Sequence, residues 1–170
     1  KQINQMITKQ SIKNDKFKLT YFGGNGRGAI IRAIFSSMKQ PFEDEKLQFP
    51  DWLKVKKSGQ FEFEQLPILK HNEKTLSQSV AIYNYLAKLF DIYGNTPEEQ
   101  YEIDSLICTI EDINQVFYPC IMPRTDDQKN NPQKYKDQFM EKFERYLKVF
   151  EKRYNRLGNG KYYLGNHFSL

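Results

Sequence analysis

Along residues 17–21, Phe17, Leu19 and Tyr21 alternate with Lys18 and Thr20, the period of a strand with one apolar face and one wet face. Past a glycine-rich corner, Ala29, Ile30, Ile31, Ala33, Ile34, Phe35 and Met38 predict a largely apolar helix that stops ahead of Pro41. The stretch PFEDEKLQF reads as extended but too polar for a central parallel strand, so it suits a sheet edge. QLPILKHNEKTL predicts a hairpin of two short strands about a turn His71-Asn72-Glu73-Lys74. A helix follows at once, capped by Ser77 or Ser79, with Val80, Ile82, Tyr83, Leu86 and Phe90 facing inward.

Gly94-Asn95 closes this first part, and Thr96-Pro97-Glu98-Glu99 is a capping box with proline at the first helical position. Ile103, Leu106, Ile107, Ile110 and Ile113 mark the buried face of a helix to about Phe117, where Tyr118-Pro119 bends or ends it. Residues 123–132, rich in Pro, Asn and charge, predict a loop. A second long helix carries Phe139, Phe143, Leu147, Phe150, Tyr154 and Leu157 at helical spacing, a stripe expected to form core, and Gly158 closes it.

The order βαβ then ββα describes a thioredoxin-like α/β domain with a mixed sheet over residues 16–93, followed by an all-α domain over 96–170. The polar opening, residues 1–15, reads as a disordered tail that packs on nothing. Gly24-Asn25-Gly26-Arg27-Gly28-Ala29 imitates the G-x-G-x-x-A loop that cradles a dinucleotide pyrophosphate. Three features oppose that reading: the first strand is apolar on one face only, the second half has a hairpin in place of a crossover, and Glu43–Glu45 is an acidic surface run rather than a ribose-binding acid. The corner after the first strand also lacks the Cys-x-x-Cys of a thiol-disulfide oxidoreductase. A thiol handled there must come from a ligand.

Charge adds little to this picture. Lys and Arg number 26 against 21 Asp and Glu, a formal +5, but the signs are interleaved along the chain, which argues for a solvated surface and against nucleic acid as a partner. Cys108 and Cys120 have no metal-ligand spacing and suit a reducing, cytoplasmic compartment. No run is apolar and long enough to cross a bilayer, and the first fifteen residues lack an apolar signal core. His71 and His167 fall in a turn and a loop and are given no catalytic role.

KLTYF, Arg27, Asp51-Trp52, LPIL at 66–69, TLSQSVAIYNYL at 75–86 and GNTPEEQYEID at 94–104 occur in an order that resembles a cytosolic glutathione transferase, and within that family the sigma class. The resemblance runs from about residue 16 to the end. It implies glutathione as cosubstrate, a small apolar electrophile as second substrate and a homodimer. Tyr21 would donate a hydrogen bond to the glutathione sulfur and favour its thiolate, with Arg27 beside it as the second catalytic residue. Leu66, ahead of a cis Pro67, would offer its backbone to the cysteinyl part. Gln78 and Ser79 would hold the γ-glutamyl carboxylate at a helix start. Trp52 and Lys56 would meet the glycine carboxylate, with Gln65 adding a polar contact. Asp104 would reach the partner's glutathione across the dimer. Plainer readings stay open: Tyr21 packing its ring on the first helix, Arg27 as a surface cation, Trp52 in a loop covering the core, Ser79 as an N-cap, Asp104 as a solvated helix acid.

The chain also departs from the pattern. Arg27-Gly28-Ala29 stands where the family reads Arg-Ala-Glu, so the acid expected beside the arginine is absent. The stretch between Trp52 and Pro67 is slightly long for the family, so Lys54 or Lys57 could take the place of Lys56. The closing YYLGNHFSL resembles the lead-in to the family's central buried helix, with Ser169 at its N-cap, and the helical domain is therefore expected to be incomplete. The implied activity is conjugation of the glutathione thiolate to electrophilic apolar compounds, with prostaglandin isomerisation or peroxide reduction as side activities. The alternative is a non-catalytic, crystallin-like descendant that keeps the glutathione pocket.

Overall fold

The computed structural model describes residues 12, 14–157, 160–164 and 168–170. The chain divides into two compact units, one ending at Ile92 and including Leu170, the other Tyr93–Ser169.

The first unit runs β1 (Phe17–Phe22), α1 (Gly28–Ser37), β2 (Glu43–Leu47), α2 (Phe49–Val55), β3 (Ile68–His71), β4 (Lys74–Ser77) and α3 (Ser79–Leu89). Among the described residues the strands form one sheet in the order β2-β1-β3-β4, with β1–β2 parallel and the other two pairings antiparallel. That is the mixed, thioredoxin-like arrangement the element order predicts, with the acidic β2 at an edge. Leu19, Ile31, Phe35, Leu69, Ile82, Tyr83 and Leu86 are fully buried, so α1, α3 and the sheet share one core. Phe35 lies at its centre, stacked on Phe42 at 4.5 Å and tilted against Phe17 at 5.1 Å.

Several local expectations are corrected. Thr20, on the face expected to be wet, is buried because its hydroxyl donates to Glu45 on β2 at 2.7 Å. The hairpin turn is shorter than His71–Lys74. Those two residues pair in register, leaving Asn72-Glu73 as the turn, with Asn72 at φ 51°, a conformation asparagine tolerates. Neither Ser77 nor Ser79 caps α3. The cap position is Gln78, at φ 69° and ψ 109°, with no side-chain cap among the described residues. Trp52 lies not in a loop but on α2, which Pro50 starts in its first turn.

Of the opening segment, residues 1–11 and 13 lie outside the described residues. Its end is anchored, contrary to the expectation that it packs on nothing: Ile12 is buried, and Asp15 is bonded both to Asn72 Nδ2 (3.0 Å) and to His71 Nε2 (2.9 Å). His71 Nδ1 meets the Tyr85 hydroxyl at 2.6 Å, and the ring stacks on Phe17. The hydrogen bonds from Asn72 and then His71 hold the Asp15 carboxyl below its ordinary range. A carboxyl depressed on folding stabilises the fold above its unfolded value and loses that contribution as pH falls through the folded one. Asp15→Asn is therefore expected to cost about 1 kcal/mol in urea unfolding at neutral pH, with the difference from wild type closing as pH falls below about 4. An offset that persists in acid would assign the effect to packing.

The second unit holds α4 (Pro97–Ile121), α5 (Asp126–Asn130) and α6 (Pro132–Leu157). The Thr96 hydroxyl accepts the Glu99 N–H at 3.2 Å, so α4 starts where the capping box places it. It does not end at Phe117 but runs through Pro119 to Ile121. The loop expected over 123–132 contains α5, which has its own capping box of Thr125 and Gln128. The aromatic stripe of α6 is not core: no residue of this helix is buried among those described, and Leu147 and Tyr154 are exposed. The reason is geometric, since two helices in mutual contact cover only a strip of each other. Ile110, expected inside α4, is exposed likewise. Gly158 and His167 lie outside the described residues, and Ser169 belongs to no element among them.

Candidate active site

The corner between β1 and α1 is built around one phenol. Tyr21 sits near the end of β1 on its core side, fixed by pairing with Lys46 of β2, and is buried. Its Oη accepts the backbone N–H of Arg27 at 3.0 Å. That bond can form because the chain passes against the ring with no side chains in between. A Cβ on Gly28 would stand 2.4 Å from Tyr21 Cδ1, and one on Gly26, at φ 25°, would stand 2.6 Å from Oη. The glycine spacing that imitates a phosphate loop is therefore the requirement of close approach to a tyrosine. The next peptide is held as well, because the hydroxyl of the fully buried Tyr83 on α3 donates to the Arg27 carbonyl at 2.6 Å.

The direction of these bonds matters chemically. Oη accepts a hydrogen bond from a fixed backbone donor, so the phenolic O–H remains available to an acceptor outside the protein. A hydrogen bond accepted by a hydroxyl polarises it and strengthens the bond it donates. A fixed, polarised donor suits an anion that forms during reaction, such as a thiolate.

Other expected site residues lie on this unit at element ends. The Leu66-Pro67 bond is cis, with Pro67 buried, Leu66 half-buried and Gln65 exposed just ahead of β3. Gln78 is exposed at the start of α3, while Ser79, the first residue of that helix, is buried. The φ of Gln78 is one that side-chain-bearing residues rarely adopt, a strain of about 1–3 kcal/mol that is typical of ligand-holding positions. Trp52 is 6% exposed and makes edge contacts with Phe22 at 6.4 Å and Phe61 at 5.0 Å, which ties α2 to the end of β1. Of the three candidate lysines, Lys54 is engaged by Asp51 at 2.8 Å, Lys57 is exposed, and Lys56 is half-buried at the end of α2.

Asp104 stands apart, on α4 in the second unit, where its carboxylate accepts the Tyr93 hydroxyl at 2.6 Å. Burial, and then this bond, push the Tyr93 phenol up to about 12.

Three contributors were not legible as site residues. In sequence Gly28 reads only as a departure from the family's alanine, and Tyr83 as an inward-facing core residue. Arg32 on α1 belongs to no motif that marks it as functional. Its guanidinium bonds both Asp44 oxygens, through Nε at 3.2 and 3.1 Å, and also the carbonyls of Phe22 (2.9 Å) and Gly24 (2.8 Å). One signal was available for it: Arg32 is the only charged residue of a ten-residue helix.

Comparison with known proteins agrees with this geometry. Residues 17–88 match the family model "Glutathione S-transferase, N-terminal domain". The human hematopoietic prostaglandin D synthase is 40% identical over 101 residues, which is 59% of this chain, so the match spans only about half (50%) of that relative's length. The mouse hematopoietic prostaglandin D synthase is 31% identical over 152 residues, covering 89% of this chain and 71% of that protein. Among solved structures, a sigma class enzyme of Fasciola hepatica superposes with a TM-score of 0.77 at 25% identity, over 91% of this chain and 73% of that one. With the thioredoxin-like sheet, the tyrosine corner and a relative matched over most of its length, this chain belongs to the glutathione S-transferase family.

Proposed function

We propose that this protein ionises the thiol of glutathione at Tyr21 and transfers the sulfur to a small apolar electrophile. The observation that carries the reading is the Arg27 N–H to Tyr21 Oη bond, which leaves the phenolic proton free to meet a sulfur. In the reaction the thiol proton passes to solvent, and the thiolate attacks an electrophilic carbon to form a C–S bond. Either a leaving group departs with its electron pair or the adjoining carbon takes up a proton. Tyr21 stabilises the anion, and Arg27 adds positive charge beside it.

Glutathione lies with its cysteinyl backbone along Leu66 and Pro67 and its γ-glutamyl carboxylate at Gln78 and Ser79. Its glycine carboxylate lies near Trp52, Lys56 and Gln65. The half-buried position of Lys56 and the engagement of Lys54 by Asp51 support Lys56 as the cation. The strained backbone of Gln78 supports a ligand at the start of α3. Likeness to the Fasciola hepatica enzyme supports placement in the sigma class, and likeness to the prostaglandin synthases supports endoperoxide isomerisation as a side activity. A homodimer, with Asp104 reaching the partner's ligand, and a detoxifying role in the cytoplasm complete the reading. Cys108 and Cys120 are both free thiols, which supports a reducing compartment.

The chain has a single tryptophan, so titrating glutathione while following Trp52 fluorescence tests the binding half directly. Saturable quenching or enhancement, followed by conjugation of an activated aryl chloride, is the expected result. A folded protein that neither binds glutathione nor turns over would overturn the reading.

A further inference from the structure

Residues 22–27 carry three glycines and turn through an exposed corner, yet this loop has to place one N–H on the Tyr21 oxygen. Its ends are held by Phe22, which packs on Trp52, and by the Arg27 bonds to Tyr21 and Tyr83, but its middle has little packing. A Cβ at Gly23 or at Gly24 would touch nothing within 4 Å, and glycine gives up more backbone freedom on ordering than any other residue. What holds this middle stretch is a guanidinium. Arg32 projects from α1 with its side chain about four-fifths buried, and its fork is bonded on one edge to Asp44. Toward the loop, Nη2 donates to the Phe22 carbonyl at 2.9 Å and Nη1 to the Gly24 carbonyl at 2.8 Å. Asp44 is a firm base, since it lies on β2 in register with Leu19 of β1. The guanidinium carbon also lies 5.8 Å from the centre of the Tyr21 ring, so the same group flanks the phenol.

We propose that Arg32 is a positioning residue for the transferase reaction: its fork locks the carbonyls of Phe22 and Gly24 to Asp44, and so fixes the corner that delivers the Arg27 N–H to Tyr21. The inference rests on the glutathione-activating role proposed for Tyr21. Lysine cannot replace this group, because an ammonium lacks the planar fork needed to bridge a carboxylate and two carbonyls at once. Loss of the lock lets the glycine corner move and weakens the polarised phenol. Thiolate formation then suffers more than glutathione binding, whose other contacts lie at β3, α2 and α3.

The test compares wild type, Arg32→Lys and Asp44→Asn in the full chain. Amide hydrogen exchange over residues 22–28 is measured without glutathione, and steady-state kinetics are measured with glutathione and an activated aryl chloride. Arg32→Lys is expected to exchange faster over 22–28 with α3 unchanged, and to lose about ten- to a hundred-fold in kcat, with a smaller change in the KM for glutathione. The acid limb of its pH–kcat profile is expected to move to higher pH, and Asp44→Asn should show the same pattern more weakly. Wild-type exchange in this loop together with an unmoved pH profile would overturn the proposal, as would equal loosening of the whole unit. The exchange arm needs no turnover. An inactive wild type whose corner nonetheless loosens in Arg32→Lys would remove the transferase reading while keeping Arg32 as the residue that holds the corner.

Discussion

Tyr21→Phe is expected to lower kcat for conjugation by about a hundred-fold while leaving unfolding stability within about 1 kcal/mol of wild type. The separation of the two effects follows from what the hydroxyl does. It fills no core volume beyond the ring, and it pairs with one backbone N–H at 3.0 Å, on a half-buried residue that water can reach when the oxygen is gone. The ring, which carries the packing, stays. The hydrogen bond that Oη would donate to a sulfur is lost outright, and removal of a single preorganised donor to a developing anion has an effect of this size. A fall in activity matched by a fall in stability would instead make Tyr21 a structural residue.

Gly28→Ala is expected to damage fold and activity together. Gly28 lies in the first turn of α1, where alanine would normally gain up to about 1 kcal/mol as the better helix former. Here its Cβ would stand 2.4 Å from Tyr21 Cδ1 and 2.9 Å from Cγ, distances at which the ring has to move. Overpacking of this kind costs about 1–3 kcal/mol, so the net effect is destabilising despite the helix gain. A displaced ring also carries Oη away from the Arg27 N–H, and kcat should fall at least as far as in Tyr21→Phe. Thermal unfolding and steady-state kinetics on the same preparation decide the matter. A Gly28→Ala protein as stable and active as wild type would show that the corner is looser than its contacts indicate.

These two residues also mark where the sequence could be read and where it could not. The alternation at Phe17, Leu19 and Tyr21, the apolar helix after it and the hairpin from LPIL onward are short-range patterns, and each gives its element in the structure. The tyrosine at the corner could be singled out because the motifs around it fall in a recognisable order. Gly28 could not, since a glycine in place of the expected alanine reads as a departure until the ring beneath it is located in three dimensions. Tyr83 and Arg32 are hidden in the sequence for related reasons. One looks like an ordinary inward helix position and the other like a lone surface cation, and their partners are a backbone carbonyl and a carboxylate brought close by the β1–β2 crossover.

The helical unit departs from its sequence pattern for another reason. Periodicity in α6 identifies a face, but it does not say what that face meets: Phe139 meets Phe117 of α4 and stays half-buried, while Leu147 is exposed. The cap of α3 is not legible because a glutamine at positive φ breaks the propensity rule that favours Ser77 and Ser79. Rules of local preference are most often broken where a ligand is held, and this residue is one the family resemblance assigns to glutathione.

The most direct measurement is the pH titration of glutathione bound to the wild-type protein, followed through the ultraviolet absorbance of its thiolate. If Tyr21 donates to the sulfur, bound glutathione ionises well below the ordinary thiol value of about 8.5, and Tyr21→Phe returns it most of the way there. A bound thiol that titrates as it does in free solution, or one whose shift survives Tyr21→Phe, would contradict a tyrosine-activated thiolate at this corner.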